Sequence, residues 1–65
     1  MSPQRLGAVI QKLRGKMTQE KLAKRAKISR GYLAQLEAGH KKNPSLPALK
    51  RLAKALGVSL GALLG

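Results

Sequence analysis

The side chains of this sequence that could do chemistry are almost all cations and amides. Fourteen Lys and Arg stand against two acids, Glu20 and Glu37, with a single His, His40, and no Cys. Covalent or acid–base catalysis needs a nucleophile, a base and a group that orients the base in one site. Two carboxylates and one imidazole do not supply that set, so an enzyme is not expected. The same shortage leaves hardly any material for a metal site, and no cofactor or small-molecule substrate is implied. What these residues can do is hold a polyanion. The formal charge is +12, and the fold must tolerate the self-repulsion this brings. Anionic membranes, heparin-like polymers and acidic proteins share that electrostatic signature, and nucleic acid is the leading candidate.

Such side chains have to be positioned by a small body. Sixty-five residues make one domain, 1–65, because a chain of this length buries only about 60% of its unfolded surface and cannot divide its core. Without Cys, stability has to come from packing. The apolar residues are nearly all Leu, Ala, Ile and Val, and Tyr32 is the only aromatic, a composition that favours an all-α bundle over a sandwich or barrel. The longest apolar stretch, near Leu56 to Leu64, is too short and too Gly-interrupted to cross a bilayer, and the N terminus lacks the apolar block of a secretory signal. A cytoplasmic, nucleoid-associated protein is expected.

Capping residues and glycines divide the chain into five helices. Ser2 caps the first, with Pro3 in its first turn and Leu6, Ile10 and Leu13 on one face, and Gly15 ends it. Thr18 caps a short second helix that ends near Ala26, with Glu20 in the positive first turn and Leu22, Ala23 and Ala26 inward. Ser29 caps a third, with Leu33 and Leu36 inward and Gly39 after its end. A polar, basic loop runs from His40 to Asn43. Ser45 caps a fourth helix carrying Leu46, Leu49, Leu52, Ala53 and Leu56, closed by Gly57, and Ser59 caps a last turn with Leu60, Leu63 and Leu64.

The second and third helices meet across Lys27 and Ile28, a connection so short that one must cross the other steeply. A small residue is needed where they touch, and Ala23 supplies it. With Leu33 and Leu36 inward, Gly31, Ala34, Gln35 and Ala38 point outward, flanked by Arg30 and Tyr32. The run Leu6-Gly7, Ile10, Leu13-Arg14, Thr18-Gln19-Glu20-Lys21-Leu22-Ala23, Ile28-Ser29, Leu33, Leu36-Glu37-Ala38-Gly39, followed by Pro44-Ser45-Leu46 and the helices through Leu64, resembles the lambda-repressor-like, or Cro-like (Xre), helix-turn-helix family over nearly the whole chain. Any one piece is common among helical proteins; their order and spacing together are specific. Two departures stand out. Lys27 occupies the turn position that this family commonly gives to Gly, and the connection from Arg14 to Thr18 is short, which favours a shortened loop over a rotated first helix.

The resemblance implies double-stranded DNA as partner and transcriptional regulation as function, with the third helix, about residues 30–38, in the major groove. It places Arg30, Gly31, Ala34 and Gln35 toward base edges, where the Gln35 amide can pair with adenine. Gln19 and the loop residues His40, Lys41, Lys42 and Asn43 would lie along the phosphate backbone. Tyr32 can serve either as a phosphate donor or as a cover for the core edge. Glu37 is implied to pair with Arg14, with Lys12 as the substitute in a different register. A homodimer would use the apolar tail from Val58 to Leu64. Two other readings stay open. A membrane-active cationic amphipath is disfavoured by the division into short helices that need one another. A protein-interaction module of antitoxin or coactivator type, or a designed domain on the same fold, is favoured by the chemical thinness of Gly31 and Ala34.

Overall fold

A computed structural model describes residues 2–65. Five helices follow one another: α1 (Pro3–Arg14), α2 (Gln19–Ala26), α3 (Arg30–Glu37), α4 (Leu46–Leu56) and α5 (Leu60–Leu64). Each begins at a Ser or Thr whose hydroxyl accepts the backbone N–H three residues on: Ser2 from Arg5, Thr18 from Lys21, Ser29 from Tyr32, Ser45 from Ala48 and Ser59 from Ala62. These bonds satisfy N–H groups that the first turn of a helix leaves without a partner. The connections are three or four residues long except the eight between α3 and α4, and the helix starts are written locally in the sequence.

Packing joins α1 to α3, α2 to both α3 and α4, and α5 to α4 and α1. The core they enclose is aliphatic: Leu6, Ile10, Leu22, Leu33, Leu36, Leu52 and Leu63 are each almost wholly buried, with Ala23, Ala26, Leu49 and Ala53 between them. Ala23, expected where two helices meet, is 2% exposed.

Two apolar residues placed inward by periodicity, Leu13 and Leu46, lie outward instead, and Leu64 is exposed as well. Leu13 is 38% exposed, Leu46 49% and Leu64 38%. In α1 the inward stripe is Leu6, Gly7 and Ile10; followed another turn it reaches Gln11 and Arg14, which bond to α3, so Leu13 is left at the rim. Leu46 is the first residue of α4, and helical side chains lean toward the N terminus, which carries it past the end of the packed layer. Leu64 stands beside the buried Leu63, and a single-turn helix cannot turn both to one neighbour.

The turn between α2 and α3 keeps the left-handed geometry although no glycine is present. Lys27 has φ 57° and ψ 42°, its N–H donates to the Lys24 carbonyl at 3.2 Å, and Ile28 N–H donates to the Ala23 carbonyl at 3.0 Å. These bonds close the C terminus of α2 and outweigh a left-handed penalty of roughly 1–2 kcal/mol for a residue with a Cβ. Lys27→Gly is therefore expected to raise stability by about 1 kcal/mol, the relief of strain exceeding the extra chain entropy of the unfolded state. Chemical denaturation checks this through a higher midpoint at unchanged slope; a lower midpoint would show that Lys27 is not strained.

Candidate nucleic-acid interface

The interface is built outward from a buried knot at the C-terminal end of α3. Glu37 is buried, and its carboxylate receives the Arg14 guanidinium as a fork, Nε to Oε2 at 2.8 Å and Nη2 to Oε1 at 3.0 Å. Arg14 Nη1 donates to the Met17 carbonyl at 2.7 Å. Gln19 Nε2 donates to Glu37 Oε1 at 3.1 Å, and Gln11 Nε2 donates to the Glu37 backbone carbonyl at 2.9 Å. Charge-assisted, two-pronged bonding of this kind fixes orientation as well as distance. The knot ties α1, the turn after it and the first residue of α2 to α3. It also fixes the register of α1, which ends at Arg14 against a Gly15 cap. Among the described residues no buried side-chain nitrogen or oxygen lacks a partner.

On the outer side of α3, Gly31 and Gln35 are exposed and Ala34 is half-buried; Arg30, in the first turn and seven residues before Glu37, is exposed at the flank of that face. Nothing lies within 4 Å of the place where a Cβ on Gly31 would stand, so no packing inside the domain requires a glycine there. Tyr32 covers the edge of the core, one of the two roles left open by sequence. Its ring packs half-buried against the core, and its hydroxyl accepts the Ser45 N–H at 3.1 Å, which couples α3 to the start of α4 and leaves the hydroxyl proton free to donate. Lys41 Nζ stands 5.2 Å from the ring centroid, within the range of a cation–π contact. The His40 N–H donates to the Gln35 carbonyl at 2.9 Å, so the loop leaves α3 without slack. Lys42 and Asn43 are exposed beyond it. His40 and Lys42, with Pro3, Gln4 and Gly39, line an open hollow between this loop and the start of α1.

Most of the residues singled out from sequence thus lie on the outer face of α3 or on the loop that follows it. Gln19 differs, because one of its amide N–H groups is turned inward to Glu37. Sequence reasoning passed over three positions that hold the surface in place. Gln11 and Gly7 lie with Arg14 at i, i+4, i+7 along α1, the spacing of a single helix face. Arg51 Nε donates to the Ala26 carbonyl at 3.1 Å and so closes the end of α2 from α4. A mid-helix glycine was the available signal for the first group; Arg51 gave none, since its partner is a backbone atom 25 residues away.

No helix among the described residues is long and apolar enough to cross a membrane, and no group of three potential metal ligands stands together among them. Residues 10–63 match the family model described as helix-turn-helix. The chain is 47% identical over 50 residues to the immunity repressor protein of Bacillus phage phi105, an alignment covering 77% of this chain and 34% of the phage protein. It therefore spans about a third of that relative's length. The fold superimposes on the restriction-modification controller protein C.AhdI from Aeromonas hydrophila with a TM-score of 0.88 at 30% identity, covering 94% of each chain. It also superimposes on SinR, a master regulator for biofilm formation solved in complex with DNA, with a TM-score of 0.86 at 29% identity over 92% of this chain and 98% of that one. Family model, relative and fold agree, and the chain belongs to the lambda-repressor-like (Cro-like, Xre) helix-turn-helix family.

Proposed function

We propose that this domain binds double-stranded DNA by laying α3 in the major groove and acts as a transcriptional regulator on cytoplasmic, nucleoid DNA. The observation that carries the reading is Gly31. A glycine inside a helix costs up to about 1 kcal/mol relative to Ala, less in the first turn where Gly31 stands, and the space around this one is empty. Close approach of an outside partner to the helix backbone accounts for it. Arg30 and Gln35 flank that gap with side chains able to meet guanine and adenine edges, and Ala34 offers a methyl to thymine. Lys41, Lys42, His40 and Asn43 would run along the phosphates, joined by the free hydroxyl proton of Tyr32 and by the second amide N–H of Gln19. The inward bond of Gln19 then positions it for that contact. A second copy would pair through the α5 surface, where Leu64 remains 38% exposed.

Phosphate contacts set affinity without sequence information, whereas base contacts discriminate. Selection from a random DNA pool should return a preferred site. Lys41→Ala with Lys42→Ala is expected to weaken binding to every duplex alike and to make the salt slope shallower by roughly 0.9 per lost contact. Gln35→Ala is expected to lower affinity for the selected site by about 1–3 kcal/mol, with little effect on a scrambled one and a nearly constant salt slope. Titrations of both duplexes at several salt concentrations check this. Equal weakening of both by Gln35→Ala would mean that α3 faces the DNA differently, and a wild type with no preference would make the protein-interaction reading the better one.

A further inference from the structure

The positive charge of this domain is not concentrated where α3 would read DNA. The outer face of α3 and the loop after it carry Arg30, Lys41 and Lys42, whereas α2 with its cap and α4 carry seven of the fourteen Lys and Arg, all exposed. Arg25, Lys27, Arg51 and Lys54, with Ala55 between them, line a concave seam of about 350 Å³ where the C-terminal halves of α2 and α4 meet. We propose that this seam is a second phosphate-binding surface, through which one copy of the domain holds the backbone of a second DNA duplex. The inference rests on the DNA-binding reading of α3 and adds a separate face to it.

Helix C termini attract cations, so dipole compensation is the first explanation to weigh. Two helix ends supply roughly −0.5 each, and the only acid on these helices, Glu20, sits in the opposite, first turn of α2. About two negative charges against seven positive ones leave most of the repulsion uncompensated. The seam is also partly preorganised, because the bond from Arg51 Nε to the Ala26 carbonyl holds the guanidinium in place. Such a fork suits phosphate oxygens. The spread of charge selects the partner. A compact anion would meet only the few cations of the seam, whereas a duplex carries one charge per about 1.7 Å of axis and would present on the order of a dozen phosphates across this domain. Two duplexes on different faces would be separated by a body 25 × 22 × 22 Å in extent. That is more than two Debye lengths of about 8 Å at physiological salt, so their mutual repulsion is largely screened.

The test is capture of a fluorescent duplex by the intact protein bound to an immobilised duplex carrying the selected site, compared with direct binding to that site. Wild type is expected to capture the second duplex at low salt. Arg25→Gln with Lys54→Gln should lose most of the capture and make its salt slope shallower by about 1.8, two contacts at roughly 0.9 each, while direct binding to the selected site is kept. Lys12→Gln with Lys16→Gln, outside the seam, removes equal charge and should capture like wild type. Equal loss in both variants would reduce the effect to net charge and overturn the proposal. So would capture that disappears at protein concentrations where only monomer is present, since two copies would then form the bridge, or capture abolished by inorganic triphosphate at concentrations that leave first-site binding intact. If the first duplex is not bound at all, the reading of α3 fails, and direct binding shows this separately from capture.

Discussion

Gly7→Ala is expected to lower the melting temperature by on the order of 5–15 °C, a net loss of about 1–2 kcal/mol at 4–8 °C per kcal/mol for a domain of this size. An added Cβ would stand 2.5 Å from the Glu37 carbonyl oxygen and 2.6 Å from that of Leu36. Both are backbone atoms that are already engaged, the first by Gln11 Nε2 and the second by the Gly39 N–H. They cannot yield unless α1 withdraws from the end of α3. The substitution also brings the helix-propensity gain of Ala over Gly, about 1 kcal/mol. The clash nevertheless wins, because overpacking against rigid neighbours costs typically 1–3 kcal/mol and occasionally more, and separating α1 from α3 loosens the Glu37 knot as well. Gly31→Ala makes the same chemical change in open space and is expected to raise the melting temperature slightly, by the propensity term alone. Thermal denaturation followed by far-ultraviolet circular dichroism compares the two. A Gly7→Ala melt equal to or above wild type would show that α1 does not approach α3 as closely as the structure places it.

Glu37→Ala should be more damaging still, at about 3 kcal/mol, the low end for breaking a buried ion pair. The Glu37 side chain is 3% exposed and that of Arg14 21%, so the freed guanidinium keeps partial access to water and its penalty is less than that of a fully buried charge. It would retain only the Met17 carbonyl among its present partners, and Gln19 would lose its inward bond. Replacing both members of the pair by Met should recover much of the loss, because an apolar pair of similar volume leaves no uncompensated charge. Denaturant unfolding of Glu37→Ala measures the loss, and that of Glu37→Met, Arg14→Met and the double Met variant measures the coupling. If Glu37→Ala were neutral, the knot would not form in solution. If the double variant fell by the sum of the singles, the two side chains would act independently.

In the reading proposed above, the knot makes recognition depend also on side chains such as Arg14 and Glu37 that would touch no DNA. It holds the first residue of α2 and the last residue of α3 in one arrangement, and these helices carry the residues proposed for the phosphates and the bases. Loosening it should impair DNA binding even where the domain still folds. A constellation held to within a fraction of an ångström depends on its supporting bonds as much as on the groups that make contact.

The number, order and ends of the helices could be read from the sequence alone, because their determinants act within a few residues. Ser and Thr hydroxyls reach three positions forward, and Gly39 and Gly57 adopt positive φ where the helices before them close. The outer face of α3 was legible for the same reason: once Leu33 and Leu36 point inward, a helix has only one opposite side. What sequence could not decide was which of several adjacent side chains a neighbouring helix would accept. Leu13 followed the apolar period, yet the close approach of α1 to α3 required Gly7, Gln11 and Arg14 on the contact face and left Leu13 outside. Leu46 obeyed the same period and was lost to the end of its layer. The closure of α2 by Arg51 was likewise settled by tertiary structure. Periodicity ranks faces by hydrophobicity, whereas contact between two backbones is set by how near they come, and that distance belongs to the pair of helices and to neither sequence segment by itself.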